Sequence, residues 1–260
     1  FGRGGVGYGV MRYSGGVLRA TLRLTLDCTN RCVFCGQFGL SDVVRVPPAT
    51  SDAAAAALPT MSSLETLRAA RDEITFVGGE PLLGDSLLDH VVRARALGFA
   101  RIGVETNGHA LAERAAALVD AGLTDVHLSI HGATARVHDY HTQTAGSFDR
   151  IADALAVLSH LSVTTAATTV LTRSNFRVLG ELPLWLHTRG VVAWRLSVPR
   201  IAGRAAQAVD RVVPRLALAL PYALHALGAA RALPLWAGIE GAPLCLLGPF
   251  AAHARSGETR

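Results

Sequence analysis

The chain contains no lysine, and it carries few charges of either sign for its length. All 25 of its basic side chains are therefore arginines, which stand against 20 acidic residues for a formal net charge of +5 over 260 residues. The arginines are scattered, without the basic run that is typical of a nucleic-acid-binding arm. We therefore do not expect a nucleic-acid ligand. The arginines either are solvated on helix faces or make a mildly basic surface that suits an acidic peptide or a phosphorylated substrate.

Cysteines and long apolar runs are scarce as well. Four cysteines, three of them within eight residues, do not make a disulfide framework, and unpaired thiols are typical of the reducing cytoplasm. The longest apolar run, Leu216 to Ala230, contains Pro221 and His225 and is shorter than the roughly 18–20 residues that cross a bilayer. We expect a buried helix there, no membrane span, and a cytoplasmic protein.

Half of the residues are hydrophobic, which is enough for one domain with a large core. Residues 1–16 contain seven glycines and are predicted to form a flexible lead-in. Apolar and polar residues alternate from Val17 to Asp27, as in a strand, and strand and helix patterns then alternate in units of about 25 residues. The later predicted strands are Glu73–Val77, Arg101–Glu105, Asp125–Ile130, Ser162–Leu171 and Val191–Val198. This alternation predicts an α/β fold, an open partial (β/α)6 barrel over residues 17–204, with residues 205–260 as a C-terminal extension of helix and strand packed on it.

Three cysteines follow the first predicted strand at the spacing C-x3-C-x2-C: Cys28, Cys32 and Cys35. Parallel α/β folds gather the loops after their strands at one open mouth, where such folds place their chemistry. A structural zinc site needs four ligands and usually pairs two C-x2-C units, which this triplet does not do. Three thiolates can instead hold a four-iron cluster and leave one iron open. A zinc knuckle or chance clustering is the alternative.

Further motifs stand at the ends of the next predicted strands. They are Gly78-Gly79-Glu80-Pro81, Thr106-Asn107-Gly108 and Ser129-Ile130-His131-Gly132. Together with the cysteine triplet, these motifs resemble the radical SAM superfamily, whose enzymes use S-adenosylmethionine (SAM). The resemblance extends from about Leu22 to Arg204, and the fold that it implies is the same partial (β/α)6 barrel.

The resemblance also implies cofactors and the residues that bind them. Cys28, Cys32 and Cys35 would hold one 4Fe–4S cluster, whose open iron the amino and carboxylate groups of SAM would chelate. Gly78 and Gly79 would let the backbone approach SAM. Glu80 would pair with the methionyl ammonium, unless it is an ordinary acidic residue at a helix N-terminus. Four residues at or near strand ends are positional candidates for the SAM ribose and carboxylate: Thr106, Asn107, Ser129 and Thr169.

The implied reaction begins with one electron from a donor such as flavodoxin or ferredoxin. The electron would cleave SAM into methionine and a 5′-deoxyadenosyl radical, which abstracts hydrogen from an unactivated carbon. We expect a peptide or natural-product precursor as substrate. A purine or other small metabolite is the alternative, and a non-catalytic iron–sulfur or zinc module is a third possibility. Many superfamily members that act on peptides carry a cysteine-rich C-terminal extension with auxiliary clusters, and the single Cys245 here predicts none.

Two further features have an open interpretation. His131, His138 and His141 fall in a predicted polar loop at spacings that do not fit a zinc site. We expect His131 and His138 to frame the substrate mouth, with loop capping and surface exposure as the alternative. Cys245 is either a small buried hydrophobe or a hydrogen-atom donor that quenches the substrate radical.

Overall fold

A computed structural model describes residues 9–12, 18–37 and 61–255. In this part of the chain the strands form one nine-stranded sheet whose spatial order is the chain order. The first strand pairs antiparallel with the second, and every other neighbouring pair is parallel. The strands are β1 (Gly9–Arg12), β2 (Leu18–Thr25), β3 (Glu73–Gly78), β4 (Arg101–Thr106), β5 (Asp125–Ser129), β6 (Thr164–Val170), β7 (Ala193–Ser197), β8 (Trp236–Glu240) and β9 (Ala254–Arg255).

Helices connect the parallel strands, as the alternation of patterns predicts. The α-helices are α1 (Met61–Ala70), α2 (Ser86–Ala96), α3 (Leu111–Ala121), α4 (Ala135–Thr142), α5 (Ser147–Leu158), α6 (Leu182–His187), α7 (Gly203–Gln207), α8 (Val209–Val212) and α9 (Leu216–Arg231). Short 3-10 helices cover Phe176–Glu181, Leu244–Leu246 and Gly248–His253. None of the helices in the described ranges is long and apolar enough to cross a membrane.

The two faces of the sheet differ in chemistry. One face is apolar and packs with the helices into one core, to which Phe76, Val104 and Trp194 contribute. Along β6 and β7 the intervening positions are only partly buried, because successive side chains of a strand point to opposite faces. Polar side chains such as Arg195 of β7 and Glu105 of β4 lie on this face, which we call the inner face.

The α/β partial-barrel prediction is confirmed, and β8 adds a seventh parallel strand from residues assigned to the C-terminal extension. Helix α9 packs against α6 and β8 and contains Pro221. The domain boundaries at residues 17, 204 and 205 stay predictions.

Two predictions of local structure were wrong. Gly9–Arg12, in the predicted flexible lead-in, forms a strand, because it pairs with the backbone groups of β2, which would otherwise be the unpaired edge of the sheet. The rest of residues 1–16 lies outside the described residues. The predicted polar loop around the histidines contains helix α4, which buries Val137, His138 and His141 along one side. Because two of these buried residues are histidines, the hydrophobic pattern of a helix is not visible there.

Candidate active site

The carboxyl ends of the parallel strands surround a cavity of about 490 Å³, which we call the upper cavity. Parallel strands bring the residues that follow them to one edge of the sheet, although these residues lie far apart in sequence. The cavity brings together most of the predicted site residues: Cys28, Cys32, Cys35, Gly78, Gly79, Thr106, Asn107, Ser129 and His131. Glu80, Thr169, His138 and Cys245 do not line it.

The loop that carries the three cysteines is held by backbone hydrogen bonds on both sides. Arg31 and Val33 donate their N–H groups to the carbonyls of Thr142 and His141 at 2.9 and 3.0 Å, at the C-terminus of α4. Such terminal carbonyls have no partner within the helix, so the loop satisfies them. On the other side, the Arg204 N–H of α7 donates to the Cys35 carbonyl at 3.0 Å. The loop is therefore fixed between two helices with its thiols facing the cavity.

All three thiols are free, which suits them to bind metal. Burial raises the pKa of Cys28, although a backbone N–H from Asn30 and the Asn107 amide favour its thiolate. Burial, together with the neighbouring Cys28 and Cys35, raises the pKa of Cys32 to about 12. Positive charge from bound iron would favour the thiolate forms of Cys28 and Cys32 and offset the effect of burial.

The donor set therefore fits a cluster held by three thiolates. Among the described residues, no three His, Cys, Asp or Glu side chains are gathered closely enough for a single metal ion. Thiolates that bind different irons of one cluster do not need that closeness.

Gly78 ends β3 and Gly79 follows it, and both positions require glycine because the chain that leads to the cysteines passes close to them. A Cβ on Gly79 would lie 2.1 Å from the Asp27 carbonyl oxygen, and one on Gly78 would lie 2.7 Å from that of Thr25. The N–H groups of Gly79 and Glu80 donate to these same two carbonyls, each at 2.8 Å. Glycine at both positions thus lets the chain after β2 continue its pairing and exposes bare backbone to the cavity.

Glu80 lies behind the cavity wall and is only 1% exposed. Its Oε1 accepts hydrogen bonds from the Leu82 N–H at 3.0 Å and the Thr106 hydroxyl at 2.6 Å, and its Oε2 accepts one from the Asn107 N–H at 2.7 Å. Burial raises the pKa of this carboxyl, and the three hydrogen bonds oppose the shift. The environment differs from the predicted ion pair with an ammonium, because protein donors already surround the carboxylate.

The Glu80 carboxylate therefore orients the strand-end turn at Thr106 and Asn107. From that turn the Asn107 amide donates to the Thr29 hydroxyl at 2.9 Å and lies 3.7 Å from the Cys28 sulfur. The hydrogen bonds thus form a chain from a buried charge to the cysteine loop.

Thr169 was predicted to contact the SAM ribose or carboxylate, but its side chain faces the apolar core and not the upper cavity. It is fully buried, donates to the Ile130 carbonyl at 2.5 Å and accepts from the Trp194 indole at 2.9 Å. Its neighbours Thr168 and Val170 line the cavity instead. A prediction that is off by one residue reverses the face, because side chains alternate along a strand.

Cys245 is exposed in the 3-10 helix Leu244–Leu246, after β8. The structure does not bring it to the cavity, and its role as hydrogen donor stays a prediction.

The histidines form a buried layer next to the cysteine loop. His131 lines the cavity, and its Nδ1 accepts the Val170 N–H at 3.3 Å, while the ring of Phe34 contacts it edge-on at 4.6 Å between centroids. Behind it, the fully buried His138 accepts the His131 N–H on its Nδ1 at 3.2 Å. Of the two histidines expected at the mouth, His131 lies there and His138 supports it.

All three histidines are neutral near neutral pH. Burial, followed by the neighbouring His138 and His141, lowers the pKa of His131 well below its usual range. Burial likewise lowers the pKa of His138 to about 4, against the opposing effect of Asp139. Burial also lowers the pKa of His141, whose Nδ1 donates to the Val137 carbonyl at 2.6 Å. The layer therefore offers hydrogen bonds and ring contacts rather than positive charge.

Sequence reasoning missed the arginines of the site. Arg31, Arg200 and Arg204 line the cavity, together with the acidic residues Asp27 and Glu105. The positions of Arg200 and Arg204 just beyond the last strand of the predicted barrel were the available signal.

Comparisons with known proteins agree with this geometry. A family model described as the Radical SAM superfamily matches residues 22–177, which is more than half of the chain. An AdoMet-dependent heme synthase from Oleidesulfovibrio alaskensis is 27% identical over 141 residues, 54% of this chain and 36% of that protein. A GTP 3',8-cyclase from Mycobacterium marinum is 32% identical over 139 residues, 53% of this chain and 38% of that protein.

Among solved structures, Streptococcus suis SuiB shares the fold with a TM-score of 0.63 at 15% identity, over 90% of this chain and 52% of that one. The chain thus spans little more than a third of the length of these curated relatives and about half of SuiB. The family match, supported by the fold, shows that this chain belongs to the radical SAM superfamily.

Proposed function

We propose that the chain cleaves SAM reductively and uses the resulting radical to abstract hydrogen from a peptide or natural-product precursor. Enzymes of this superfamily carry a 4Fe–4S cluster and SAM. One observation carries the proposal: three free cysteines share a cavity with a bare glycine backbone and polar side chains from successive strand ends. This arrangement offers ligands for a cluster next to a surface that can bind a small polar cofactor.

In the proposal Cys28, Cys32 and Cys35 hold the cluster. When bound, the cluster would pass one electron from an external donor to SAM, and the chemistry that it would supply is reductive cleavage of SAM to methionine and a 5′-deoxyadenosyl radical. Gly78 and Gly79 present the backbone to the SAM methionyl group without side chains in between. Within this set, Glu80 is a positioning residue that acts through the turn at residues 106–107.

Two further cavity residues complete the proposed SAM site. Asn107 and Ser129 offer an amide and a hydroxyl, which suit the SAM carboxylate and ribose. We keep Thr106 as a member of the site through its hydrogen bond to Glu80, whereas Thr168 takes the place of Thr169 at the cavity wall.

Two observations support a peptide as substrate. SuiB has also been solved bound to its precursor peptide SuiA, with a TM-score of 0.61 to this chain. In addition, three arginines at the cavity would suit acidic or carboxylate groups of a peptide.

A nucleotide substrate is the second candidate. Several GTP 3',8-cyclases match this chain at 30–32% identity, and the same arginines would suit phosphates. The match covers 41% of the length of the cyclase from Methanocella arvoryzae and 38% of the length of the cyclase from Mycobacterium marinum.

The test is anaerobic reconstitution with iron and sulfide, followed by dithionite and SAM, with mass spectrometry for 5′-deoxyadenosine. We expect a brown protein that absorbs near ~400 nm and cleaves SAM. Cys32→Ala is the matched control and should do neither. Precursor peptides encoded beside the gene and GTP are then offered separately. The substrate class is identified by which one is converted, either to a product of new mass or to an isomer with a new retention time and fragmentation pattern. A colourless protein with stoichiometric zinc and no 5′-deoxyadenosine would overturn the proposal.

A further inference from the structure

A second depression lies beside the upper cavity, between the cysteine loop, the end of α4 and the helices α7 and α8. Its volume is about 640 Å³. We call it the basic groove, and its lining residues are Arg31, Val33, Tyr140, Gln143, Arg204, Gln207, Ala208, Arg211 and Val212. Arg31 and Val33 lie within the cysteine motif, but the other lining residues belong to none of the superfamily motifs in the sequence.

The groove carries positive charge without acidic residues in its wall. Arg31, Arg204 and Arg211 contribute three guanidinium groups, and no Asp or Glu is among the described residues that line it. Asp210 is next to Arg211 in sequence but does not line the groove. A one-sign surface of this kind attracts an oppositely charged partner and speeds its encounter with the protein.

The groove lies on the outer side of the cysteine loop. Val33 lines the groove, whereas its neighbours Cys32 and Phe34 line the upper cavity. Arg204 borders both: its backbone N–H donates to the Cys35 carbonyl at 3.0 Å, and its guanidinium lies 3.5 Å from the Cys32 carbonyl. A single thickness of polypeptide therefore separates the groove from the proposed cluster ligands.

We propose that the basic groove is the docking surface for an acidic, low-potential one-electron donor protein. The inference rests on the proposed function, in which SAM and substrate occupy the upper cavity and leave no path for a protein through the mouth. The outer side of the cysteine loop is then the approach that ends beside the cluster. One electron moves in the step, so the donor is oxidised by one electron and the cluster is reduced by one, and no bond forms or breaks.

An acidic segment of a peptide substrate is the competing occupant. The position of the groove favours the donor, because the carbon that reacts must lie inside the upper cavity, whereas the donor needs only to come close to the loop. For electron transfer the donor protein must come close to the cysteine loop, but it does not have to enter the upper cavity.

The first experiment measures binding, so that it does not depend on turnover. Oxidised flavodoxin, an acidic donor protein, is titrated into the cluster-loaded full chain at low ionic strength, with Arg211→Glu as the test variant. Arg211 is exposed on α8 and lies outside the proposed cofactor site. Arg189→Glu is the matched control, since it changes the net charge equally at an exposed site just before β7, at the opposite end of the sheet.

We expect Arg211→Glu to weaken flavodoxin binding by about tenfold and the control to change it less than about twofold. Added salt should weaken binding to the wild type more steeply than to the variant, because the attraction is electrostatic. Equal affinities for both variants would overturn the docking surface. An acidic peptide whose binding is lost in Arg211→Glu, with flavodoxin binding intact, would overturn it in favour of the substrate.

The second experiment separates this inference from the proposed function. SAM cleavage is driven either by reduced flavodoxin or by dithionite-reduced methyl viologen, a small cationic donor. Arg211→Glu should slow only the flavodoxin-driven reaction. Wild-type protein that cleaves no SAM with either donor would refute the proposed function itself, whereas equal rates for wild type and variant with flavodoxin would refute only the docking surface.

Discussion

Among the described residues, two cavities lie along the inner face of the sheet, and the chemistry of their walls differs. The lower cavity, of about 390 Å³, lies toward the amino-terminal ends of the strands. Its charged residues pair across neighbouring strands: the Arg19 guanidinium lies 2.8 Å from the Glu73 carboxylate, and Arg101 forms an ion pair with Asp125. The charged side chains of this cavity therefore form ion pairs between neighbouring strands, and these ion pairs stabilise the sheet.

The upper cavity leaves its reactive groups available. Its three thiols are free, and its glycines expose backbone. Arg195 lies between the two cavities, where it donates to the Thr168 hydroxyl at 3.1 Å and approaches Glu105 at 3.4 Å. The same strands thus carry ion pairs between neighbouring strands at one end, and free thiols with bare glycine backbone at the other.

The largest expected effect comes from removing a thiol of the upper cavity. Cys32→Ala should abolish cluster assembly and SAM cleavage, because the three thiols are the ligands that the proposal assigns. The half-buried side chain is small, so the fold should remain. Iron analysis and circular dichroism measure the two properties, and wild-type iron content in the variant would contradict the ligand assignment.

Glu80→Gln should have the next largest effect. The variant keeps the shape of the side chain but replaces the carboxylate, which accepts three hydrogen bonds, by a neutral amide. A hydrogen bond to a charged acceptor contributes roughly 1.5–3 kcal/mol. If the turn at residues 106–107 shifts, SAM affinity should fall by about 30-fold, which corresponds to about 2 kcal/mol. Calorimetric titration with SAM measures it.

Thr106→Val removes one of these three donors and is the graded control for Glu80. It should weaken SAM binding less than Glu80→Gln does. A Glu80→Gln variant that is destabilised but binds SAM normally would make Glu80 a purely structural residue.

The sequence was most informative where a motif follows a strand. Cys28, Gly79 and Asn107 were each predicted at a strand end, and a parallel sheet necessarily places such residues at one edge. Glu80 occurs in the same kind of motif, but its side chain turns into the wall. Motif spacing does not determine side-chain direction, which depends on donors that come from another strand.

Other features depend on contacts that local patterns do not encode. The side of the sheet that Thr169 faces depends on the register in which β6 pairs. The strand reads Thr-Thr-Ala-Ala-Thr-Thr-Val, so apolar and polar residues do not alternate and the sequence does not show which residues face the core. The basic groove combines Arg31 with Arg204 and Arg211, which lie more than half the chain away in sequence. Scattered arginines become one surface only after α7 and α8 pack beside the cysteine loop.

A smaller effect is expected in the lower cavity. Burial alone would raise the pKa of Asp125, but hydrogen bonds from Arg101 and Thr124 outweigh it and leave the pKa below its usual range. The ionised carboxylate therefore stabilises the fold above about pH 4, and this contribution is lost as the pH falls through the folded-state pKa.

Asp125→Asn should accordingly cost about 1–2 kcal/mol of unfolding free energy near pH 7. The difference from wild type should shrink below about pH 4, and urea unfolding at several pH values measures it. SAM affinity should stay unchanged, since Asp125 does not line the upper cavity. A large loss of SAM binding in Asp125→Asn would contradict the hypothesis that one end of the inner face stabilises the fold and the other end binds the cofactor.

The smallest effect is expected at Cys245. Its thiol is exposed and lies outside the upper cavity, so Cys245→Ala should change the unfolding free energy by less than about 0.5 kcal/mol. A hydrogen donor must touch the substrate radical, which forms inside the cavity, and we therefore expect normal yields of 5′-deoxyadenosine and of product from the variant. Wild-type product made in deuterium oxide should carry no solvent deuteron from this thiol. If the variant cleaves SAM but fails to complete product, and wild-type product gains one deuteron, then Cys245 reaches the cavity during turnover and the reactive region extends to the loop after β8.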